Sequence, residues 1–151
     1  MGRALIKRLF VLLALLWPMG AMAQSVAIYG NWCGPNHPGT PALAGPPVDA
    51  LDAACMRHDI CTANLGRFNC GCDLGFMAEL RTTRWQTPEI QSNARGIFDA
   101  IAVIPCTYPF GTAQKQSLFM QDAMRDALNG TAAPMDIMDR WRRMIGGVGL
   151  E

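Results

Sequence analysis

The stretch that decides the fold is CMRHDIC, residues 55–61. It lies in a longer segment, residues 48–66, whose apolar residues recur at helical spacing and which Gly66 can end. Neighbouring helix positions point about 100° apart, so His58 and Asp59 cannot serve one partner from the same direction. The sequence therefore predicts a long helix that presents one functional group to each of two partners.

The flanking cysteines can bring a different partner to each of these two side chains through disulfides. Cys55 and Asp59 are four residues apart and share one helix face, whereas His58 and Cys61 are three apart and share another. A disulfide from the preceding Gly-rich loop to Cys55 would bring loop carbonyls to Asp59, and carbonyl and carboxylate oxygens suit Ca²⁺. A disulfide from Cys61 to the next helix would bring Asp73 beside His58. A histidine held through one ring nitrogen by a carboxylate can act as a general base.

The first residues predict a secretory signal peptide. Basic residues precede an apolar run over residues 9–17, and the small-residue triplet AMA at 21–23 supplies a cleavage site. The alternative is a membrane anchor, but the run is well short of the ~20 apolar residues that span a bilayer. We expect residues 1–23 to be removed and residues 24–151 to form one secreted domain, extracellular or periplasmic, without a transmembrane segment.

The charge balance of that domain excludes one class of partner. From residue 24 onward, ten Lys and Arg residues stand against twelve Asp and Glu residues. No block of basic residues is present, so we expect no nucleic-acid partner.

All six cysteines follow the expected cleavage point, and an even number in an exported chain indicates three disulfides. A zinc site that includes Cys70, Cys72 and His58 is the alternative. Exported cysteines oxidise, however, and no pair has the two-residue spacing of common zinc sites.

The rest of the chain predicts helices separated by loops, with no alternating strand, so the class is mostly α. Residues 24–47 are rich in Gly, Pro and Asn and predict a loop, in which His37 is expected to be exposed. Asp49 and Asp52 are expected to cap the first helix and contact this loop, or to act simply as first-turn acids. The further helices are predicted from Cys70 or Cys72 through Trp85, from a Thr87 cap to about Ile104, and as two shorter segments over residues 113–129 and 135–146. The last segment is amphipathic and carries three arginines, which fits either a membrane surface or docking on the core.

Three motifs together resemble the secreted phospholipases A₂. YGNWCGP at residues 29–35 is similar to the calcium loop of that family, PPVDALDAACMRHDIC at 46–61 to its catalytic helix, and CGCD at 70–73 to the start of its next helix. The resemblance covers roughly a third of the chain from residue 24 onward. It implies a mostly α, disulfide-stapled phospholipase A₂-like fold with two long central helices, an N-terminal calcium loop and short C-terminal helices.

The resemblance also implies a function and a site. The function is calcium-dependent hydrolysis of the sn-2 ester of glycerophospholipids, with a membrane surface or micelles as the substrate. His58 and Asp73 would form the catalytic pair, and the Gly34 N–H would help to hold the oxyanion. The implied Ca²⁺ ligands are the backbone carbonyls of Trp32, Gly34 and Asn36 and the side chain of Asp59.

The implied disulfides are Cys33–Cys55, Cys61–Cys72 and Cys70–Cys106. The chain departs from the family at Ala54, where many members have a cysteine, and at Thr62, where many have a tyrosine that binds the second carboxylate. Tyr108, beyond the far end of the implied Cys70–Cys106 disulfide, is one candidate to supply that hydrogen bond to Asp73 instead.

Two other classes remain open at this point. One is a non-catalytic lipid- or receptor-binding protein on the same scaffold, and the other is a disulfide-rich structural domain with no ligand. Because His58, Asp59 and Asp73 are all retained, the sequence favours the enzyme over the non-catalytic binding protein. A calcium titration that leaves the thermal stability unchanged would favour the structural domain.

Overall fold

The computed structural model describes residues 26–38, 41–131 and 138–139. This part of the chain is mostly helical and contains no strand, as the sequence predicts. The predicted signal peptide and most of the predicted C-terminal helix lie outside the described residues. None of the described helices is both long and apolar enough to cross a membrane. The elements are a short 3-10 helix (Pro41–Leu43) and four α-helices: α1 (Ala50–Leu65), α2 (Cys70–Thr82), α3 (Pro88–Val103) and α4 (Pro109–Leu128).

The ends of α1 and α3 follow the predicted signals. Asp49 caps α1 by accepting a hydrogen bond from the Asp52 N–H at 2.9 Å, and α1 ends before Gly66, whose φ of 97° favours glycine. Thr87 caps α3, and Pro88 follows at the first helical position, where its missing N–H costs nothing.

Two predicted helix ends are wrong. The second helix stops at Thr82, and the chain then turns so that the indole of Trp85 is buried and donates to the Leu80 carbonyl at 3.1 Å. The fourth helix begins at Pro109, four residues before the predicted start, and with 20 residues it is the longest of the four described helices rather than a short segment.

The three disulfides have the pairing implied by the resemblance, and no described cysteine is free. Their Cα–Cα distances of 5.1–5.8 Å fit ordinary disulfide geometry. Such crosslinks typically contribute about 2–4 kcal/mol each to a small exported domain. They tie the loop to α1, α1 to α2, and α2 to the segment before α4: Cys33–Cys55, Cys61–Cys72 and Cys70–Cys106.

The packing of α4 on α2 is fixed at one close approach. A Cβ added at Gly111 would lie 2.4 Å from the Cys70 sulfur, so only glycine allows the two helices to come this close. One turn further along both helices, Lys115 of α4 meets Asp73 of α2. The register of the two helices therefore follows from a glycine and a disulfide.

Candidate active site

The centre of the site is a histidine–aspartate pair between α1 and α2. The Nε2 atom of His58 lies 2.9 Å from Oδ1 of Asp73, and the two side chains are 14% and 6% exposed. The Phe76 ring stacks on the imidazole with a centroid distance of 4.6 Å and an interplanar angle of 19°. The ring is thus held on its face and at one nitrogen. The pairing of His58 with Asp73 was predicted from the sequence, whereas the stacking of Phe76 was not.

The second oxygen of Asp73 binds a buried lysine. Lys115 Nζ donates to Asp73 Oδ2 at 2.5 Å and to the Ile104 carbonyl at 2.6 Å, and the lysine side chain is fully buried. The prediction that Tyr108 fills this position is wrong, because Tyr108 precedes α4 and is 46% exposed. Lys115 lies one helical turn after Gly111, and at this position its side chain reaches the Asp73 carboxylate.

These contacts set the charges of the pair. Burial by itself raises the pKa of Asp73, but hydrogen bonds and charge from His58 and Lys115 outweigh burial and leave that pKa below its usual value. Asp73 is therefore ionised at neutral pH, and the neutral imidazole must donate from Nε2. Burial lowers the pKa of His58, yet Asp59 and Asp73 together raise it above its ordinary value. The Nδ1 atom of His58 is left as the basic nitrogen.

Asp59 lies on the other side of that nitrogen. Its Oδ1 atom is 3.8 Å from His58 Nδ1, although the two side chains leave α1 in different directions. Its Oδ2 atom is buried and has no hydrogen-bond partner among the residues that the structure describes. Burial raises the pKa of Asp59, and His58 and His37 lower it by less, so the pKa stays above its usual value. A buried carboxylate oxygen without a partner is unfavourable unless a cation or a donor binds it.

The Gly-rich loop is fastened to α1 by Asp52. This fully buried carboxylate accepts hydrogen bonds from the N–H groups of Asn31 at 2.9 Å, Trp32 at 2.8 Å and Val48 at 3.0 Å. Gly30 has a φ of 57°, and a Cβ there would lie 2.3 Å from the carboxylate carbon of Asp52. The predicted contact of Asp52 with the loop is confirmed, and it explains why the loop requires glycine at residue 30.

Two contacts show that this loop lies close to Asp59. The Cys33–Cys55 disulfide joins the loop to α1 one turn before Asp59. His37, four residues after Cys33 in the loop, is half-buried and close enough to lower the pKa of Asp59. The prediction of an exposed His37 is therefore wrong, because the loop folds back over α1.

The donor atoms fit a hard cation. No group of three or more His, Cys, Asp or Glu side chains in the described ranges could hold a metal ion, so a cation here would rely on Asp59 and on backbone oxygens. The carbonyls of Trp32 and Asn36 accept no hydrogen bond within the described part of the chain. The Gly34 carbonyl accepts one, from His37 N at 3.2 Å, and keeps a second lone pair. Carbonyl oxygens with one carboxylate are a donor set for Ca²⁺ rather than for zinc or copper.

Gly34 is required for a different reason from Gly30. A Cβ at this position would lie 1.9 Å from the Val26 carbonyl, which crosses the loop there. Its own N–H donates no hydrogen bond to any residue that the structure describes. It is therefore available to an oxygen of a bound molecule.

A cleft of about 180 Å³ lies between α1 and α2 and reaches His58. It is smaller than the roughly 300–1,000 Å³ of pockets that enclose a drug-sized ligand, so a lipid would lie mainly outside it. The residues that line the cleft are Ala54, Arg57, His58, Cys61, Gly71, Cys72, Gly75, Phe76 and Glu79.

Together, the fold and the site define a small, disulfide-stapled α-helical protein with a buried histidine–carboxylate pair and a neighbouring carboxylate. Comparisons of the chain with protein-family models, curated proteins and solved structures find no match. The function must therefore be inferred from the chain's own residues.

Proposed function

We propose that the protein is a secreted, calcium-dependent phospholipase A₂, which hydrolyses the sn-2 ester of glycerophospholipids to a lysophospholipid and a fatty acid. One observation carries the proposal. His58 is bound through Nε2 to an ionised Asp73, and its Nδ1 atom lies 3.8 Å from the carboxylate of Asp59. A general base and a cation ligand are thus adjacent, as metal-assisted ester hydrolysis requires.

In the proposed mechanism, His58 accepts a proton at Nδ1 from a water molecule, which then attacks the ester carbonyl. Asp73 holds the Nε2–H, keeps the ring in one tautomer and stabilises the imidazolium that forms. The imidazolium then returns its proton to the departing lyso-lipid oxygen. No serine or cysteine nucleophile is needed for this sequence.

The negative charge that develops on the ester oxygen requires positive charge and donors. The Gly34 N–H can donate to this oxygen. When bound by Asp59 and the carbonyls of Trp32, Gly34 and Asn36, Ca²⁺ would polarise the carbonyl and stabilise the oxyanion.

The proposed substrate is lipid at a membrane surface or in micelles. The cleft at His58 is too small to enclose a phospholipid, and neither Asp59 nor the Gly-rich loop lines it, so a lipid would have to be accommodated on the surface. Apolar side chains are exposed at and near the loop, including Val26, Ile28 and Val48, which are 49–64% exposed. Such residues favour contact with aggregated lipid over a single dispersed molecule.

The experiment is hydrolysis of mixed phospholipid vesicles by the exported protein, with calcium and with excess chelator. We expect fatty-acid release only with calcium. His58→Gln should lower kcat about 10²- to 10⁴-fold while the protein keeps its thermal stabilisation by calcium, because Asp59 is intact. Equal rates in calcium and chelator would contradict the proposed metal dependence. Stabilisation by calcium without any turnover would favour the non-catalytic lipid- or receptor-binding protein.

A further inference from the structure

Lys115 is a buried charge that the mechanism above does not use. Its side chain is fully buried, and its ammonium group binds Asp73 Oδ2 and the Ile104 carbonyl. The chain contains one other lysine, Lys7, in the predicted signal peptide, so the exported protein would carry Lys115 alone. Burial of a lysine is costly unless it is paired, and replacing a buried ion pair by well-packed apolar residues is often neutral or stabilising.

The location of the ammonium group indicates a role beyond packing. The two oxygens of Asp73 are divided between two donors, His58 at Oδ1 and Lys115 at Oδ2. With Oδ2 bound to a cation, turning the carboxylate plane away from the imidazole would break the contact with Lys115. The contact with the Ile104 carbonyl at the end of α3 in turn fixes the ammonium group. A residue of α4 is thus bound to the carboxylate that contacts the His58 ring.

We propose that Lys115 is a positioning residue, whose ammonium group locks the Asp73 carboxylate and thereby holds the His58 imidazole in the tautomer that carries the proton on Nε2. Its effect on catalysis rests on the proposed function, but its effect on the His58 tautomer does not. Lys115 touches neither water nor substrate in this proposal and acts only through Asp73.

The test compares Lys115→Met with a matched control, Arg81→Met. Arg81 of α2 binds Asp122 of α4 at 3.1 Å, and Arg95 and Arg125 also contact Asp122. The control therefore removes one cation from a largely buried α2–α4 ion-pair cluster away from the histidine, and the remaining arginines limit its effect on stability. For both variants, nitrogen NMR of labelled histidine gives the His58 tautomer at a pH where the ring is neutral. Assays on vesicles with saturating calcium give kcat and KM.

We expect Lys115→Met to give a mixture of His58 tautomers, with KM changed less than about twofold. By analogy with the loss of groups that orient metal-binding histidines and carboxylates, kcat should fall about 10- to 100-fold. Arg81→Met should retain the wild-type tautomer and kcat even where its thermal stability falls. A Lys115→Met protein with the wild-type tautomer and kcat would overturn the proposal. An inactive wild type would overturn the proposed function alone, since the tautomer comparison would still decide the role of Lys115.

If Lys115→Met does not fold, two measurements replace it. Lys115→Arg retains the charge and should keep the single tautomer, and a mixture there would contradict the proposal. In the wild type, nitrogen NMR of the single lysine should show an ammonium group that exchanges slowly with solvent and shifts in Asp73→Asn. Fast exchange of the Lys115 ammonium protons with solvent, as in a free lysine, would likewise overturn the proposal.

Discussion

Asp59→Asn should have opposite effects on stability in the absence and in the presence of calcium. In the calcium-free protein, the Oδ2 atom of Asp59 is buried without a partner within the described residues, and burial raises the pKa of the group. Asparagine keeps the shape of the side chain and removes the charge. The variant should therefore be more stable than the wild type in chelator and should lose the response to calcium.

The expected magnitudes follow from the burial of this group. An unsatisfied buried polar atom costs about 1–3 kcal/mol, and the Asp59 side chain is 25% exposed, so we expect a gain in the lower half of that range, about 1–2 kcal/mol. For a domain of this size, that corresponds to a rise in Tm of roughly 4–8 °C. Calcium at 100 times its Kd should stabilise the wild type by about 2.7 kcal/mol, which is roughly 10 °C. The order of stability of the two proteins should therefore reverse when calcium is added.

The assay is thermal unfolding of both proteins in chelator and across a calcium titration, near pH 9, where the His58 imidazolium contributes less. Glu89→Gln is the control, since Glu89 is an exposed first-turn acid of α3 and should leave the calcium response unchanged. Equal stabilisation of wild type and Asp59→Asn by calcium would refute the assignment of Asp59 as a cation ligand. A variant less stable than the wild type in chelator would show that the carboxylate is satisfied without a cation.

Three further predictions concern the loop and its anchors. The Asp52 carboxylate accepts three N–H groups, and Asp52→Asn replaces one of its two acceptor oxygens by an NH₂ group that cannot accept them. The free energy of unfolding, measured in urea, should therefore fall by about 2–4 kcal/mol. An unchanged urea midpoint would contradict the role of Asp52 as the loop anchor. Gly30→Ala must displace the same carboxylate and adopt a φ of 57°, and we expect a loss of more than about 1 kcal/mol by the same measurement. Tyr29 donates to Asp49, and this bond raises the pKa of Tyr29 to about 12, above its unfolded value of 10.0. Its stabilisation is therefore complete below pH 10 and declines as the pH rises towards 12, and Tyr29→Phe should lack that decline in unfolding experiments over this range.

Local spacing and the family resemblance predicted α1 and the motifs from the loop to Asp73, but they did not predict the start of α4 or its contact with Asp73. The bounds of α1 follow from Asp49 and Gly66, and the motifs from the loop to Asp73 lie within one connected stretch. The start of α4 was missed because Tyr108 provides no side-chain hydrogen bond to cap it, and only Pro109 marks the first turn.

Lys115 was missed for a different reason. It is 42 residues from Asp73, and a lone lysine in a helical pattern is usually exposed. The available signal was its position in line with two buried residues, Gly111 one turn before and Phe119 one turn after. Even this signal does not identify the partner, because that depends on the close approach of Gly111 to Cys70.

The attachment of the Gly-rich loop through Asp52 means that the loop does not need a cation in order to fold. Three hydrogen bonds and the Cys33–Cys55 crosslink shape the loop before any cation arrives. Under the proposed calcium dependence, completion of the fold and onset of activity are therefore separate events. A molecule folded where calcium is scarce would stay inactive, and entry into a calcium-rich environment would activate it without rebuilding the backbone.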